Sequence, residues 1–235
     1  MTSKPTQAGP AVPGAVWLRE PRPARHAPAL TRERIVTAAV AVLDGSGEAG
    51  LSMRRLAETL DVHATSLYWH VANRDELLDL ALDAVFGEID LPAAHAAAWR
   101  DDVAAFMGGL RAALLAHPWS AALAGSRPLI GPNALARSEF VYTALAGAGF
   151  DGPDLSAAAA AVSHHVIAAA ATETAWRHGD PATARRALND HLRRSAAHYP
   201  TLAAHAPSLR NDWEDHFDRA AAFLLDGLAA HGGHT

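Results

Sequence analysis

The chain contains no cysteine, which excludes a disulfide framework and any thiolate metal site. Aromatic residues occupy only 6% of its 235 positions. The β-branched and aromatic runs that fill strands are scarce and alanine is abundant, so packed helices are expected rather than sheet. The N-terminus lacks the apolar core of a secretory signal, and no apolar run combines the length and low polarity of a membrane span. A cytoplasmic location with no membrane partner is therefore expected. A dominant charge of one sign is also missing: 20 basic against 25 acidic residues give a net charge of −5, so local patches matter more than the total. No glycine-rich phosphate loop or nucleophile elbow is present. The 14 histidines are scattered, with no H-E-x-x-H or carboxylate-x-x-His spacing. The adjacent His164 and His165 would point about 100° apart on a helix and could not easily share one ion. The chain is expected not to be an enzyme and to carry no metal or other cofactor; a helical-bundle metalloenzyme is the alternative that the histidines raise.

What is present is a dense signal between Leu51 and Leu78, LSMRRLAETLDVHATSLYWHVANRDELL. Ser52 suits the N-cap of a first short helix, whose Leu56 and Leu60 recur at i, i+4 with the small Ala57 beside them. Asp61-Val62-His63 interrupts the pattern, and Leu67 and Val71 resume it on a second helix. Two short helices crossed over a three- to four-residue turn form a helix-turn-helix, which sets the second helix into the DNA major groove. With Val62, Leu67 and Val71 turned inward, Thr65, Ser66, Tyr68, Trp69 and His70 are left outward. Hydroxyls for base edges and phosphates, with flat aromatic area beside them, make a poor solvent face and a good groove face. The bland alternative is that Tyr68 and Trp69 are ordinary core aromatics.

TSLYWHVANRDELLD, with LSMRRLAETLDV before it, resembles the DNA-binding domain of TetR-family transcriptional repressors from about Thr31 to Glu88. The resemblance implies an all-α homodimer: an N-terminal three-helix reading head with a helix-turn-helix, and a larger C-terminal helical domain for ligand binding and dimerisation. One departure is Asp61, where the turn usually carries glycine; aspartate tolerates a left-handed backbone better than most residues. Carried over position by position, the resemblance assigns DNA binding to Arg54, Thr65, Ser66, Tyr68, Trp69, His70 and Arg74. Tyr68 and His70 would clamp phosphates, Thr65 and Ser66 would face bases, and Arg54 would reach in from the preceding helix. The likeness continues through Trp99, RAALL (Arg111 to Leu115), GSRP (Gly125 to Pro128) and VSH (Val162 to His164).

Three parts are expected along the chain. Residues 1–28 form an extension, its first 15 residues rich in Pro, Gly and Ala and expected to be disordered. From Trp17 it becomes a proline-broken basic arm with Arg19, Arg22 and Arg25, continued by Arg32 and Arg34, suited to phosphates or a minor groove unless it merely aids solubility. Residues 29–75 form the reading head, with a first helix from Thr31 to about Asp44. Residues 76–235 form the ligand-binding and dimerisation part. Asn73, with Glu76 three residues on, opens a helix that joins the two as a lever. Further helices are expected at Trp99 to Leu115, Asn133 to Ala146, Leu155 to about Arg177, after Asp180-Pro181 (polar and exposed) and from about Leu209 to Ala230. The Leu155–Arg177 helix is apolar nearly all round and should be buried on most sides, against a partner copy or as the core of a monomer.

The expected function is a ligand-responsive regulator that binds a palindromic double-stranded operator as a homodimer and is released by a small, largely apolar effector. Phe106, Leu110, Trp119, Asn133, Phe140 and His164 are the candidate pocket residues. A DNA-binding architectural protein without an effector is the alternative from another class. In the family's tetracycline-binding members, polar residues hold a magnesium chelate; at the matching positions this chain has Asp90, Phe106, Leu123 and Thr172, with Glu173 beside the last. Leucine cannot ligate a hard cation, which points away from that ligand.

Overall fold

A computed structural model describes residues 13, 14, 17, 30–177, 179–205 and 212–232. These contain eleven helices and no strand. Arg19, Arg22 and Arg25 of the expected basic arm lie outside the described residues.

The first helix, α1 (Arg32–Gly50), is capped by Thr31, whose hydroxyl accepts from the Arg34 N–H at 3.2 Å. It runs past Asp44, where it was expected to end. Gly45 is accommodated within it, and the break comes at Gly47, whose φ of 63° only glycine adopts freely. Helix α2 (Met53–Leu60) is capped by Ser52 as expected, accepting from the Arg55 N–H at 3.1 Å. Asp61 then takes the left-handed conformation at φ 53°, ψ 49°, and the Val62 N–H reaches back to the Ala57 carbonyl at 3.0 Å. That bond closes the helix end in the manner usually left to glycine.

The second helix of the motif is shorter than its spacing suggested. Helix α3 spans only Ala64–Leu67, and the chain continues through tighter turns to His70. The His70 and Val71 N–H groups both reach the Leu67 carbonyl, at 2.9 Å each, so the helical direction persists although the bonding pattern is mixed. Leu67 and Val71 are buried, whereas Val62, expected inward, is half-buried.

Helix α4 (Arg74–Gly87) begins at Asn73, whose side chain accepts from the Glu76 N–H at 2.8 Å, while Glu76 accepts from the Ala72 N–H at 3.1 Å. This is the reciprocal capping box, with the return bond reaching one residue further back. Helix α4 packs on α1 and also on α5 (Trp99–Ala116), α6 (Ser120–Ala124) and α7 (Pro132–Gly147). It therefore belongs physically to both halves. Its buried acids are each matched to a cation or an N–H group. Asp79 accepts from Arg127 Nη1 and from the Gly14 N–H, both at 2.7 Å. Asp83 accepts from the Ala134 N–H at 2.9 Å at the start of α7, a carboxylate on a helix N-terminus. Gly131 lets it come so near: a Cβ there would meet the Asp83 carboxyl at 2.2 Å.

Helix α8 (Gly152–Arg177) packs on α5, α6, α7 and α11 (Trp213–Gly232). One expectation about it needs correction. By length and composition it does reach the threshold of a membrane span, because its alanines raise the mean hydropathy of one 18-residue window to 1.3. Within the single chain it is buried along one face. Val162, Val166 and Ala170 are fully covered, while Ala157, His164, Ala168 and Thr172 are exposed along the other side. Helix α9 (Pro181–Arg194) opens on an Asp180 cap and is largely exposed, with Leu192 as its buried anchor. A short α10 (Pro200–His205) packs against it and was not foreseen. Gly14 and Trp17, from the extension, also lie against the body: Trp17 is half-buried on the core. Gly14, within the stretch expected to be disordered, thus has Asp79 of α4 as a hydrogen-bond partner.

Candidate nucleic-acid interface and ligand cavity

The reading head leaves a small set of side chains outward. Trp69 is 76% exposed and Tyr68 49%, a degree of exposure that rules out a core role for both. Thr65 is exposed beside them, while Ser66 and His70 are half-buried. The His70 carbonyl accepts from Arg32 Nη2 at 3.3 Å, which ties the end of the motif to the start of α1. Arg54 stands almost fully in solvent on α2, bonded sideways to Glu58 at 2.9 Å, an exposed pair of small energetic value that DNA phosphates could replace.

Arg74 is engaged within its own chain. Its Nε donates to the Leu51 carbonyl at 3.0 Å, and Nη2 donates to the Glu48 carbonyl at 2.6 Å and to Glu48 Oε1 at 3.2 Å. These bonds fasten the start of α4 to the α1–α2 joint.

The six residues proposed from the sequence as a pocket do not come together around one cavity. Phe106 and Leu110 are buried where α5 packs on α7 and α8. Trp119 is buried too, but its Nε1 donates to Asp44 Oδ1 at 2.7 Å, so it serves the junction with α1. Asn133 Nδ2 donates to Asp83 at 3.0 Å. Phe140 is half-buried and stacks on His95, with ring centroids 4.5 Å apart. His164 is exposed on the outer side of α8, while its neighbour His165 turns inward, as adjacent helical positions must.

A cavity of about 250 Å³ does exist, between the C-terminal half of α8 and the first turns of α11. None of those six residues lines it. Its walls include His165, Thr172, Glu173, Trp213, His216 and Phe217. Glu173 is only 2% exposed, and its carboxylate accepts from Arg111 Nη2 at 2.7 Å and from Arg177. The sequence held one usable hint of this place. Glu173 is the sole acid between Leu155 and Trp176, and a charge so isolated in an apolar helix needs a cation from another element.

Comparison with known proteins agrees with this architecture. Residues 91–231 match the family model described as the tetracyclin repressor-like, C-terminal domain. An HTH-type transcriptional regulator of Saccharopolyspora erythraea is 56% identical, over 99% of this chain and 99% of its own. The HTH-type transcriptional repressor DrrR1 of Streptomyces coeruleorubidus is 33% identical, over 91% of this chain and 83% of its own. Among solved structures, the Streptomyces coelicolor protein ActR in complex with actinorhodin superposes with a TM-score of 0.80. It is 33% identical, and the match covers 87% of this chain and 99% of that one.

Proposed function

The chain belongs to the TetR family of transcriptional regulators, and from that premise we propose that it is a repressor that binds a two-fold operator as a homodimer and lets go when a small molecule occupies its C-terminal domain. The observation that carries the DNA-binding part is the outward Tyr68–Trp69 pair on the helix-turn-helix, with Thr65 beside it and Arg54 one helix away. Aromatic and hydroxyl groups presented in this way suit phosphates and base edges of the major groove. Residues 29–75 form the reading head in this reading, and 76–235 carry effector and partner.

Dimerisation is supported by the half-covered helices. The face of α8 around Ala157 and His164, away from the cavity, is exposed, and Phe223 on α11 is 76% exposed. An exposed phenylalanine on one helix and an exposed small-residue face on another both suit close helix packing between two copies as a four-helix bundle. Two heads so joined would read two half-sites one helical turn apart.

Release requires an effector that binds the DNA-incompetent form more tightly than the other. The element that transmits it is α4, gripped by Arg127 and by the start of α7 through Asp79 and Asp83, and fixed to the head through Arg74. The test is to select DNA from a random pool with the purified protein. Recovery of a palindrome, bound with an affinity that falls steeply with salt, is the expected result. Recovery of no sequence preference would favour an architectural role instead.

A further inference from the structure

The cavity between α8 and α11 combines three properties that specify a ligand. The first is shape and surface: Trp213 and Phe217 form aromatic walls, and the His165 ring stacks on Phe217 with centroids 5.6 Å apart and planes 22° from parallel. Flat apolar area favours a planar ring. The second is a polar group without a partner. His165 Nε2 is buried and makes no hydrogen bond. An imidazole nitrogen left so is costly unless something occupies the space before it.

The third property is charge. Burial, aided by the neighbouring His216, pushes the His165 pKa below its ordinary value, so at neutral pH this side chain meets a ligand as a neutral imidazole. Glu173 already holds Arg111 and Arg177, two cations around one carboxylate. A cationic ligand is therefore disfavoured. The cavity is smaller than typical drug-sized sites of roughly 300–1,000 Å³, which limits the ring system to one or two rings.

We propose that this cavity binds a small planar phenol, with its hydroxyl on His165 Nε2 and its ring between Trp213 and Phe217. The proposal rests on the reading of the chain as a ligand-responsive regulator and names the chemistry of one site in it. Arg111 connects that site to the core: it comes from α5, lies 4.9 Å over the Phe217 ring and bonds Glu173. Through Arg111, Phe217 is thus in contact with the helix that packs on α4.

The full chain is titrated calorimetrically with 2-naphthol, with naphthalene and 2-naphthylmethylammonium as comparators. One saturable 2-naphthol site per chain is expected, with the ammonium compound bound weakly or not at all. Replacing His165→Phe keeps the volume and the stack but removes the nitrogen, and should weaken 2-naphthol about tenfold, the value of one hydrogen bond. Ala169→Trp fills the cavity from its α8 wall and should abolish binding. Circular dichroism melts confirm that each variant folds. Absence of a saturable 2-naphthol site in the native chain, full affinity in either folded variant, or tighter binding of the ammonium compound would overturn the proposal. Mobility shifts of selected DNA run in parallel separate the two readings: DNA binding without a naphthol site removes the site and leaves the regulator intact.

Discussion

His117 Nδ1 lies 2.8 Å from Asp44 Oδ1, and this contact joins the end of α5 to the first helix of the reading head. The other ring nitrogen lies 2.9 Å from Glu88 Oε2, just past α4. Both nitrogens can donate at once only if the ring is protonated. Burial alone would depress the His117 pKa, but the hydrogen bonds and charges of Asp44 and Glu88 outweigh it and hold the pKa above the ordinary value. A raised folded pKa means that the stabilisation is complete below about pH 6.5 and is lost as pH rises through the folded value. His117→Gln should therefore lower stability by about 1–2 kcal/mol at pH 6, the net worth of charge-assisted hydrogen bonds to partly exposed acids, and by less at pH 8.5. Denaturant melts of both proteins at both pH values measure this. An equal difference at the two pH values would mean that the ring works as a neutral spacer.

Tyr68→Ala should weaken binding to selected operator DNA by about 1–3 kcal/mol without changing the oligomeric state, since the ring is half exposed and supports little of the core. A mobility-shift titration reads the effect. Unchanged affinity would reassign the DNA-contacting face. Arg74→Ala, by contrast, should act through stability, because its donors hold Glu48 and Leu51 in the frame of the head.

The difference between Tyr68 and Arg74 shows what the sequence could and could not convey. Local rules reached far: Thr31, Ser52 and Asn73 cap helices that were expected to start at them, because a capping bond spans only three residues. The left-handed Asp61 was equally legible. Contacts between distant residues were not. Arg74 meets Glu48 across 26 positions, and Trp119 meets Asp44 across 75, so a guanidinium assigned to DNA and an indole assigned to a pocket each also make a tertiary bond that no local pattern announces. Helix phase was the remaining gap. An alanine-rich α8 carries too weak a pattern to show which face is covered, and so His164 was named where His165 turns inward.

Phe223→Glu should yield monomers with poor operator affinity. Its neighbour Leu224 is half-buried against its own chain, whereas Phe223 is 76% exposed. A glutamate at Phe223 removes little intramolecular packing and sets a charge into the proposed apolar contact. Sedimentation equilibrium should show dissociation with an unchanged melt of secondary structure. A persistent dimer would place the interface on other faces.

The N-terminal extension should divide into two parts with different effects. Gly14 and Trp17 rest on the body, the former through Asp79. Deleting residues 1–17 exposes that carboxylate and part of the core, so it should cost about 1–2 kcal/mol of stability while leaving the salt dependence of DNA binding unchanged. Deleting residues 1–28 also removes Arg19, Arg22 and Arg25, and should flatten the plot of log K against log salt by roughly 0.9 for each phosphate that these arginines neutralise. Identical slopes for the two deletions would leave the basic arm without a role in DNA binding.

Tetracycline with magnesium should not release this protein from DNA. At the positions where the family's tetracycline-binding members carry polar groups, Phe106 and Leu123 are only 3% and 6% exposed and belong to the apolar core. Neither offers the oxygen or imidazole donors that a hard cation requires. Of the other two matching positions, Asp90 is an exposed carboxylate, and Glu173, beside Thr172, is already held by Arg111 and Arg177 and would have to break a buried ion pair to reach a metal. A 100-fold preference for the DNA-incompetent form, about 2.7 kcal/mol, is needed for useful release, and a chelate left with one exposed carboxylate has too little source for it. Operator complexes should therefore survive micromolar tetracycline equally with magnesium and with a chelator present. Release that depends on magnesium would show that the binding site is assembled from other residues than these.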